Sequence, residues 1–220
     1  MPGEELSATQ RDALAAIGID QWVLRDEGLR VPETPDWAEL NETIRACTLC
    51  DLHKSRTQAV CGVGSFQADC LIVGEAPGAE EDRQGEPFVG RAGLLLNEML
   101  RAIGLSRDEV FIANILKCRP PQNRDPSASE SEACLPYLER QIALLNPRLI
   151  IVVGRVAAQN LLATSSPIGR MRGKVHAYGA EQIPVVVTYH PAYLLRSPAQ
   201  KAKSWEDLLL ARGILAGASA

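Results

Sequence analysis

Three sets of residues in this chain have types and spacings that could do chemistry, and they lie far apart in sequence. The first is GEAPGAEEDRQGEPFVG, residues 74–90, which places four glycines, two prolines and five acidic residues directly after the apolar run CLIV. Pro77 and Gly78 stiffen and turn the backbone, while Glu75, Glu80, Glu81 and Asp82 supply carboxylates and Phe88 an aromatic face. Such a loop can hold a flat polar ring against its own backbone. It lacks the G-x-G-x-x-G spacing of a dinucleotide fingerprint and the Gly-Lys-Ser/Thr of a P-loop, and its acidic residues would repel phosphates. The second set is Asn114 in ANILKCRPPQNRDP and His190 in TYHPAYLLR. An asparagine amide both donates and accepts, and an imidazole can donate a hydrogen bond or exchange a proton near neutrality. Taken singly, each is as ordinary as a turn former or a packed side chain. The third set is cysteine: Cys47-x-x-Cys50 has the spacing of metal or redox ligands, and Cys118 and Cys134 sit in polar, loop-like surroundings. Cys70 opens an apolar run and reads as core, and Cys61 is ambiguous.

The elements that must position these residues follow from periodicity. A helix is expected from about Asp36 to Ala46, with Trp37, Leu40 and Ile44 on one face, leading into Cys47. CLIVG (70–74), VFIANI (110–115), RLIIVVG (148–154) and the segment 184–188 are short apolar runs suited to strands buried on both faces. Between them lie helical patterns: AGLLLNEMLRAIG, with Gly104 as its cap; SASESEACLPYLERQIALL, with Ser127 and Glu130 at capping-box spacing; and RVAAQNLLA. Pro136 is expected to kink the second of these or mark its true start. MRGKVHAYGAEQIPVVVTYHP reads as a short hairpin-like strand followed by the strand at 184–188, and PAQKAKSWEDLLLARGIL closes the chain as a helix. Strands alternating with helices predict a three-layer α/β/α fold around a central, mainly parallel, four-stranded sheet. Ligands in such folds bind beyond the carboxyl ends of the strands, which predicts functional loops at 74–91, 114–128, 154–156 and 188–196.

Composition sets the class. The 220 residues are 46% hydrophobic and 23% charged, as in an ordinary globular protein. No apolar stretch approaches the ~20 residues needed to span a bilayer, and MPGEELSATQRD is too acidic and polar for a signal peptide, so a cytoplasmic location is expected. Six cysteines without a secretory signal argue against a disulfide framework. The formal net charge of −4 is unevenly spread. Residues 1–44 hold ten acidic against three basic residues, and the remainder holds twenty basic against seventeen acidic, a balance that permits local contact with phosphates.

In combination, GEAPG after the first strand, NILKCRPP after the second and HPAYLLR after the last resemble the uracil-DNA glycosylase superfamily. The four cysteines 47, 50, 118 and 134 match the iron–sulfur ligand pattern of its family 4. The resemblance covers roughly residues 37–213. The related crosslinking branch carries Gln where Ala76 stands and a basic insertion ending in His, neither of which is present. The resemblance implies a DNA repair enzyme that hydrolyses the N-glycosidic bond of deoxyuridine, releases uracil and leaves an abasic site. It further implies that Phe88 stacks on the base, Asn114 reads its O4/N3 edge, and Glu81 crowds the position of a thymine methyl group. His190 would hydrogen-bond O2 as negative charge develops, and Ala76 stands where other families place an Asp or Asn beside the attacking water. Glu75 is then the candidate for the water. Tyr193, Leu194 and Arg196 would meet DNA, and Cys47, Cys50, Cys118 and Cys134 would hold a [4Fe–4S] cluster, with zinc the alternative for four thiolates. The superfamily suggests a monomer.

Residues 1–36 exceed what such a glycosylase domain, 37–220, requires. Within them ALAAIGIDQWVLR is similar to the N-terminal peptide of the psi subunit of bacterial DNA polymerase III, which docks on the clamp loader. This makes residues 10–25, through Leu14, Ile17, Ile19 and Trp22, a candidate replisome anchor, with a helix folded onto the core as the plainer reading. A rival to the enzyme follows: a non-catalytic replisome accessory protein that uses this peptide. The retention of Phe88, Asn114 and His190 favours the enzyme.

Overall fold

The computed structural model describes residues 36–217, so the candidate anchor at 10–25 and most of the extension lie outside the described residues. The first helix, α1 (Trp37–Ala46), is capped by the Asp36 carboxylate, which accepts from the Glu39 N–H at 3.0 Å. Six strands form one sheet: β1 (Val63–Gly64), β2 (Cys70–Gly74), β3 (Phe111–Asn114), β4 (Leu149–Val153), β5 (Val175–Tyr178) and β6 (Ile183–Thr188). Their spatial order is β1-β3-β2-β4-β6-β5. The inner pairs β3–β2, β2–β4 and β4–β6 are parallel, and the outer pairs β1–β3 and β6–β5 are antiparallel. The four inner strands are those expected from the apolar runs, and the count of four is corrected to six. The short β1 and the half-exposed β5 are edge strands that need no continuous apolar run, which is why they carry a weaker signal.

The three layers follow from the period-2 alternation along the inner strands. Leu71, Val73, Ile150, Val152, Val185 and Val187 face one side, against α4 (Ala128–Leu145) and α5 (Arg155–Leu161). Cys70, Ile72, Ile151, Val153 and Val186 face the other, against α3 (Arg91–Ala102) and α8 (Lys201–Leu215). Cys70 is therefore core, as expected. A third cluster, in which Leu40 and Ile44 of α1 meet Leu116 and Tyr137, binds the cysteine-bearing segments to this frame.

Two local expectations change. Residues 74–90 are not all loop: Ala79–Gln84 form a short helix, α2, whose first turn holds Glu80, Glu81 and Asp82. Carboxylates are favoured there by the exposed N–H groups and the helix dipole, which accounts for the density of acid. Helix α4 starts at the capping box, with Ser127 Oγ accepting from Glu130 N–H (3.2 Å) and Glu130 Oε2 accepting from Ser127 N–H (2.9 Å). It continues through Pro136 to Leu145, so that proline marks no start. Two short helices complete the chain, α6 (Ile168–Met171) and α7 (Pro191–Arg196), the latter beginning directly after His190.

Behind α7 lies a buried ionic network. Asp207 of α8 is fully buried and accepts from Arg172 Nε at 3.1 Å and from the Gly173 N–H at 2.9 Å. The Arg172 guanidinium lies 5.6 Å over the Tyr189 ring, and Thr188 donates to Ser204 Oγ at 3.0 Å. These contacts hold the end of β6 against α8. Replacing Asp207 by alanine leaves Arg172, largely shielded, without its best partner, so a loss of about 3 kcal/mol is expected. A denaturant titration of Asp207→Ala beside the unchanged protein measures it.

Candidate active site

Because β2, β3, β4 and β6 run parallel, their carboxyl ends share one rim, and hydrogen bonds extend the sheet past it. The Ile115 N–H donates to Gly74 O at 2.9 Å, Leu116 N–H to Glu75 O at 3.0 Å, and Gly154 N–H to Thr188 O at 2.9 Å. The backbones that carry Glu75, Asn114 and His190 are thereby fixed to one another. A cavity of about 460 Å³ opens at this rim, and Glu75, Ala76, Glu81, Phe88, Asn114 and His190 all line it. Tyr193 and Arg196 line it too. Every residue expected to touch a base is thus brought together.

Glycine 74 makes the convergence possible. A Cβ there would lie 2.3 Å from Asn114 Oδ1 and 2.7 Å from the Phe88 ring. Phe88 is almost fully buried in a left-handed backbone conformation, φ +54, that bulky residues rarely adopt. Its ring stacks near the His190 imidazole, with centroids 5.6 Å apart and planes inclined by 29°. Glu81 Oε1 accepts from the N–H groups of Val89 (3.2 Å) and Gly90 (3.4 Å), so this carboxylate lines the cavity and also braces the turn that follows Phe88. Asp82, buried on the other side of α2, accepts from the Thr57 N–H (2.8 Å) and hydroxyl (2.7 Å) and ties the helix to the body.

The electrostatics assign protonation states. His190 Nδ1 accepts from the Ala192 N–H at 3.1 Å, and a backbone amide can only donate. The neutral ring therefore carries its proton on Nε2. Burial first, and the Arg196 guanidinium second, lower this imidazole to about 4, against an opposing pull from Glu81, so it is neutral at physiological pH. Glu75 moves the other way: burial, then the Asp125 carboxylate, push it up to about 7 despite Arg155, which itself pairs with Asp125 at 2.9 Å. A carboxyl group that titrates near neutrality beside a ligand-sized cavity can exchange a proton with water.

Of the residues expected to meet DNA, one is placed elsewhere. Leu194 is 1% exposed and packs in the core between α3 and α8, so it cannot act as a wedge. Helical periodicity turns Tyr193 (37% exposed) and Leu195 (36%) outward instead. Sequence reasoning missed Gly78, Ala92, Asn123 and Ala192, which also line the cavity. Asn123 had a signal, since it lies in the 114–128 loop and adopts φ +53, a conformation asparagine tolerates. The small residues had none, because their contribution is the space they leave.

Cys47, Cys50, Cys118 and Cys134 line a second, narrow cavity together with Arg56, Lys117 and Tyr137. Three of the sulfurs accept hydrogen bonds: Cys47 from Leu49 N–H (3.5 Å), Cys118 from Arg56 Nη1 (3.0 Å) and Cys134 from Lys117 N–H (3.2 Å). Such donors suit thiolate sulfur and a soft metal centre. Burial first, then the Cys118 and Cys47 sulfurs, push the Cys134 thiol up to about 12 against the pull of Lys117, so the thiol is protonated near neutral pH when no cation is bound. Among the described residues, no three His, Cys, Asp or Glu side chains gather closely enough to hold a single ion; the four thiols surround a cavity instead. Cys61 stands apart, its thiol directed at Asn41 O at 3.7 Å. Lys117 joins the two sites. Its ammonium, fully buried, donates to Asn114 O (2.8 Å) and Gln141 Oε1 (2.6 Å) while its amide serves Cys134.

Comparison with known proteins agrees with this geometry. The type-4 uracil-DNA glycosylase of Pyrobaculum aerophilum is 45% identical over 181 residues, which cover 80% of this chain and 92% of that protein. The type-4 enzyme of Archaeoglobus fulgidus is 47% identical over 74% of this chain and 85% of its own length, and that of Thermotoga maritima 41% over the same shares. A type-5 uracil-DNA glycosylase from Thermus thermophilus is more distant, at 34% over 46% of this chain. The family model described as the uracil DNA glycosylase superfamily matches residues 61–209, from the segment before β1 into α8, and the chain belongs to that superfamily.

Proposed function

We propose that residues 37–220 form a type-4 uracil-DNA glycosylase, a DNA repair enzyme that hydrolyses the N-glycosidic bond of deoxyuridine and leaves an abasic site. The observation that carries this reading is the meeting of Phe88, Asn114 and His190, from three segments far apart in sequence, in one cavity. A base inside a duplex cannot reach such a rim, so the nucleotide must be extruded and read in the pocket. Phe88 provides the stacking face. The Asn114 amide donates to O4 and accepts from N3–H of uracil. Cytosine presents the opposite pattern, and the two unpaired buried groups it would leave can discriminate by ~10⁴.

Cleavage leaves negative charge on the base. His190, neutral and protonated on Nε2, donates to O2 as that charge grows, and a preorganised donor of this kind is worth roughly 3–4 kcal/mol. Ala76 offers no side chain for water, which leaves the task to Glu75, next to it in sequence and in the cavity. Above a pH of about 7 its carboxylate accepts from the attacking water. Tyr193 and Leu195 present apolar surface to the gap left by the base, and Arg196 meets a phosphate. Cys47, Cys50, Cys118 and Cys134 would hold a [4Fe–4S] cluster. These residues would then join the end of α1 to the Cys118 loop and α4, and the role of the group would be structural, since base excision transfers no electron. No helix of the described residues is long and apolar enough to cross a membrane.

A labelled oligonucleotide with one uracil, incubated with protein and then alkali, should break at that position. An intact strand, with protein that retains its metal centre, overturns the enzyme reading. The pH dependence isolates Glu75. His190 stays neutral well above about 4, so kcat/KM should rise about tenfold per pH unit towards 7 and level off beyond it as Glu75 ionises. Glu75→Gln should lower the plateau and flatten the rise. A rise that survives the substitution assigns the water to another group. The purified protein should show the broad visible absorbance of an iron–sulfur centre, and Cys134→Ala should lose it and unfold at a lower temperature. Colourless protein containing one zinc per chain contradicts the cluster.

A further inference from the structure

Phe88 holds a conformation that its own residue type disfavours, so something outside the ring must impose it. Besides Glu81, which braces the following turn from the cavity side, two contacts from outside the cavity bear on it. Gly93, in the first turn of α3, lies so close that a Cβ on it would fall 1.7 Å from the Phe88 carbonyl oxygen, which sets the limit of the loop on that side. Arg107, in the connection between α3 and β3, extends its guanidinium under the same turn. Its Nη2 donates to Pro87 O at 2.5 Å and its Nη1 to Phe88 O at 3.4 Å, with Asn97 Oδ1 at 3.5 Å from the same nitrogen. These carbonyls belong to a left-handed turn and have no ladder partner. One planar fork serves both from two nitrogens held in a fixed geometry, which the single-nitrogen head of a lysine reproduces only in part. Arg107 does not line the cavity.

We propose that Arg107 is a positioning residue of the base pocket: by holding the carbonyls of Pro87 and Phe88 it keeps the Phe88 ring in the plane in which a flipped base stacks. The proposal rests on the reading of Phe88 as the stacking face. It explains why a guanidinium reaches two main-chain oxygens without entering the pocket, and why the turn is braced on its other side by Glu81.

A double-mutant cycle tests it, with kcat and KM measured on a single-stranded uracil oligonucleotide for Arg107→Met, Phe88→Ala and the pair. Arg107→Met should lower kcat/KM about ten- to a hundredfold, as expected for a misplaced contact. In the Phe88→Ala background the same substitution should cost almost nothing, since the ring it positions is gone. A general loss of stability would instead slow both backgrounds by the same factor, and that result overturns the proposal while leaving Phe88 in its role. Should Phe88→Ala keep full activity, the stacking reading fails and the role of Arg107 with it. Arg107→Lys covers a Met variant that does not fold: it should restore part of the activity in the Phe88 background and make no difference in the Ala background. An equal loss in both overturns the proposal.

Discussion

At the end of β2 the chain runs so close to β3 and to the 74–90 segment that a single methyl group on Gly74 would collide with both Asn114 and the Phe88 ring. The rest of the site is built around that close approach. The Asn114 amide and the Phe88 ring can adjoin only across a residue with no side chain. The parallel register then brings His190 from two strands away to the same rim, because β4 lies between β2 and β6 and all three end together. Shape therefore comes before chemistry in this protein. The polar groups are ordinary, and their placement is not.

The electrostatic pattern follows from burial and not from charge pairing. His190 and Glu75 share one cavity, and desolvation is the leading influence on each, lowering the imidazole and raising the carboxyl. Both effects favour the uncharged form. In the proposed reaction, a neutral donor that shares a cavity with a carboxyl group ionising near pH 7 would divide the labour between stabilising charge on the base and activating water. Asp125 and Arg155, paired beside Glu75, modulate this without reversing it.

The cysteine pocket and the base pocket share a frame. Lys117 donates to Asn114 O and, through its amide, to Cys134, while Asp82 joins α2 to Thr57 near the Cys50 segment. A fully buried ammonium whose partners are uncharged oxygens is costly on its own, and burial lowers Lys117 to about 8. The proposed metal centre, held by these cysteines, would therefore stabilise the loop that carries Asn114 as well as the helix α1.

The four inner strands, the alternating helices, the α4 capping box and the cysteine set were legible in the sequence, because periodicity, caps and ligand spacing are local properties. So were Glu75, Phe88, Asn114 and His190, once three separated motifs were read together. What the sequence by itself could not decide depends on distances between segments. Leu194 and Leu195 are neighbours of the same type, and only the packing of α7 on α3 and α8 buries the first and exposes the second. The edge strand β1, two residues long, exists because β3 is already there to pair with, whereas β5 lies in the segment that read as a hairpin-like strand. Arg107 carries no signal of its own in the sequence, since its partners are the carbonyls of a turn 19 and 20 residues earlier. Residue types and local spacing set the chemistry available, and the tertiary structure chose which atoms meet, since a contact across the sheet rim leaves no trace in the order of the chain.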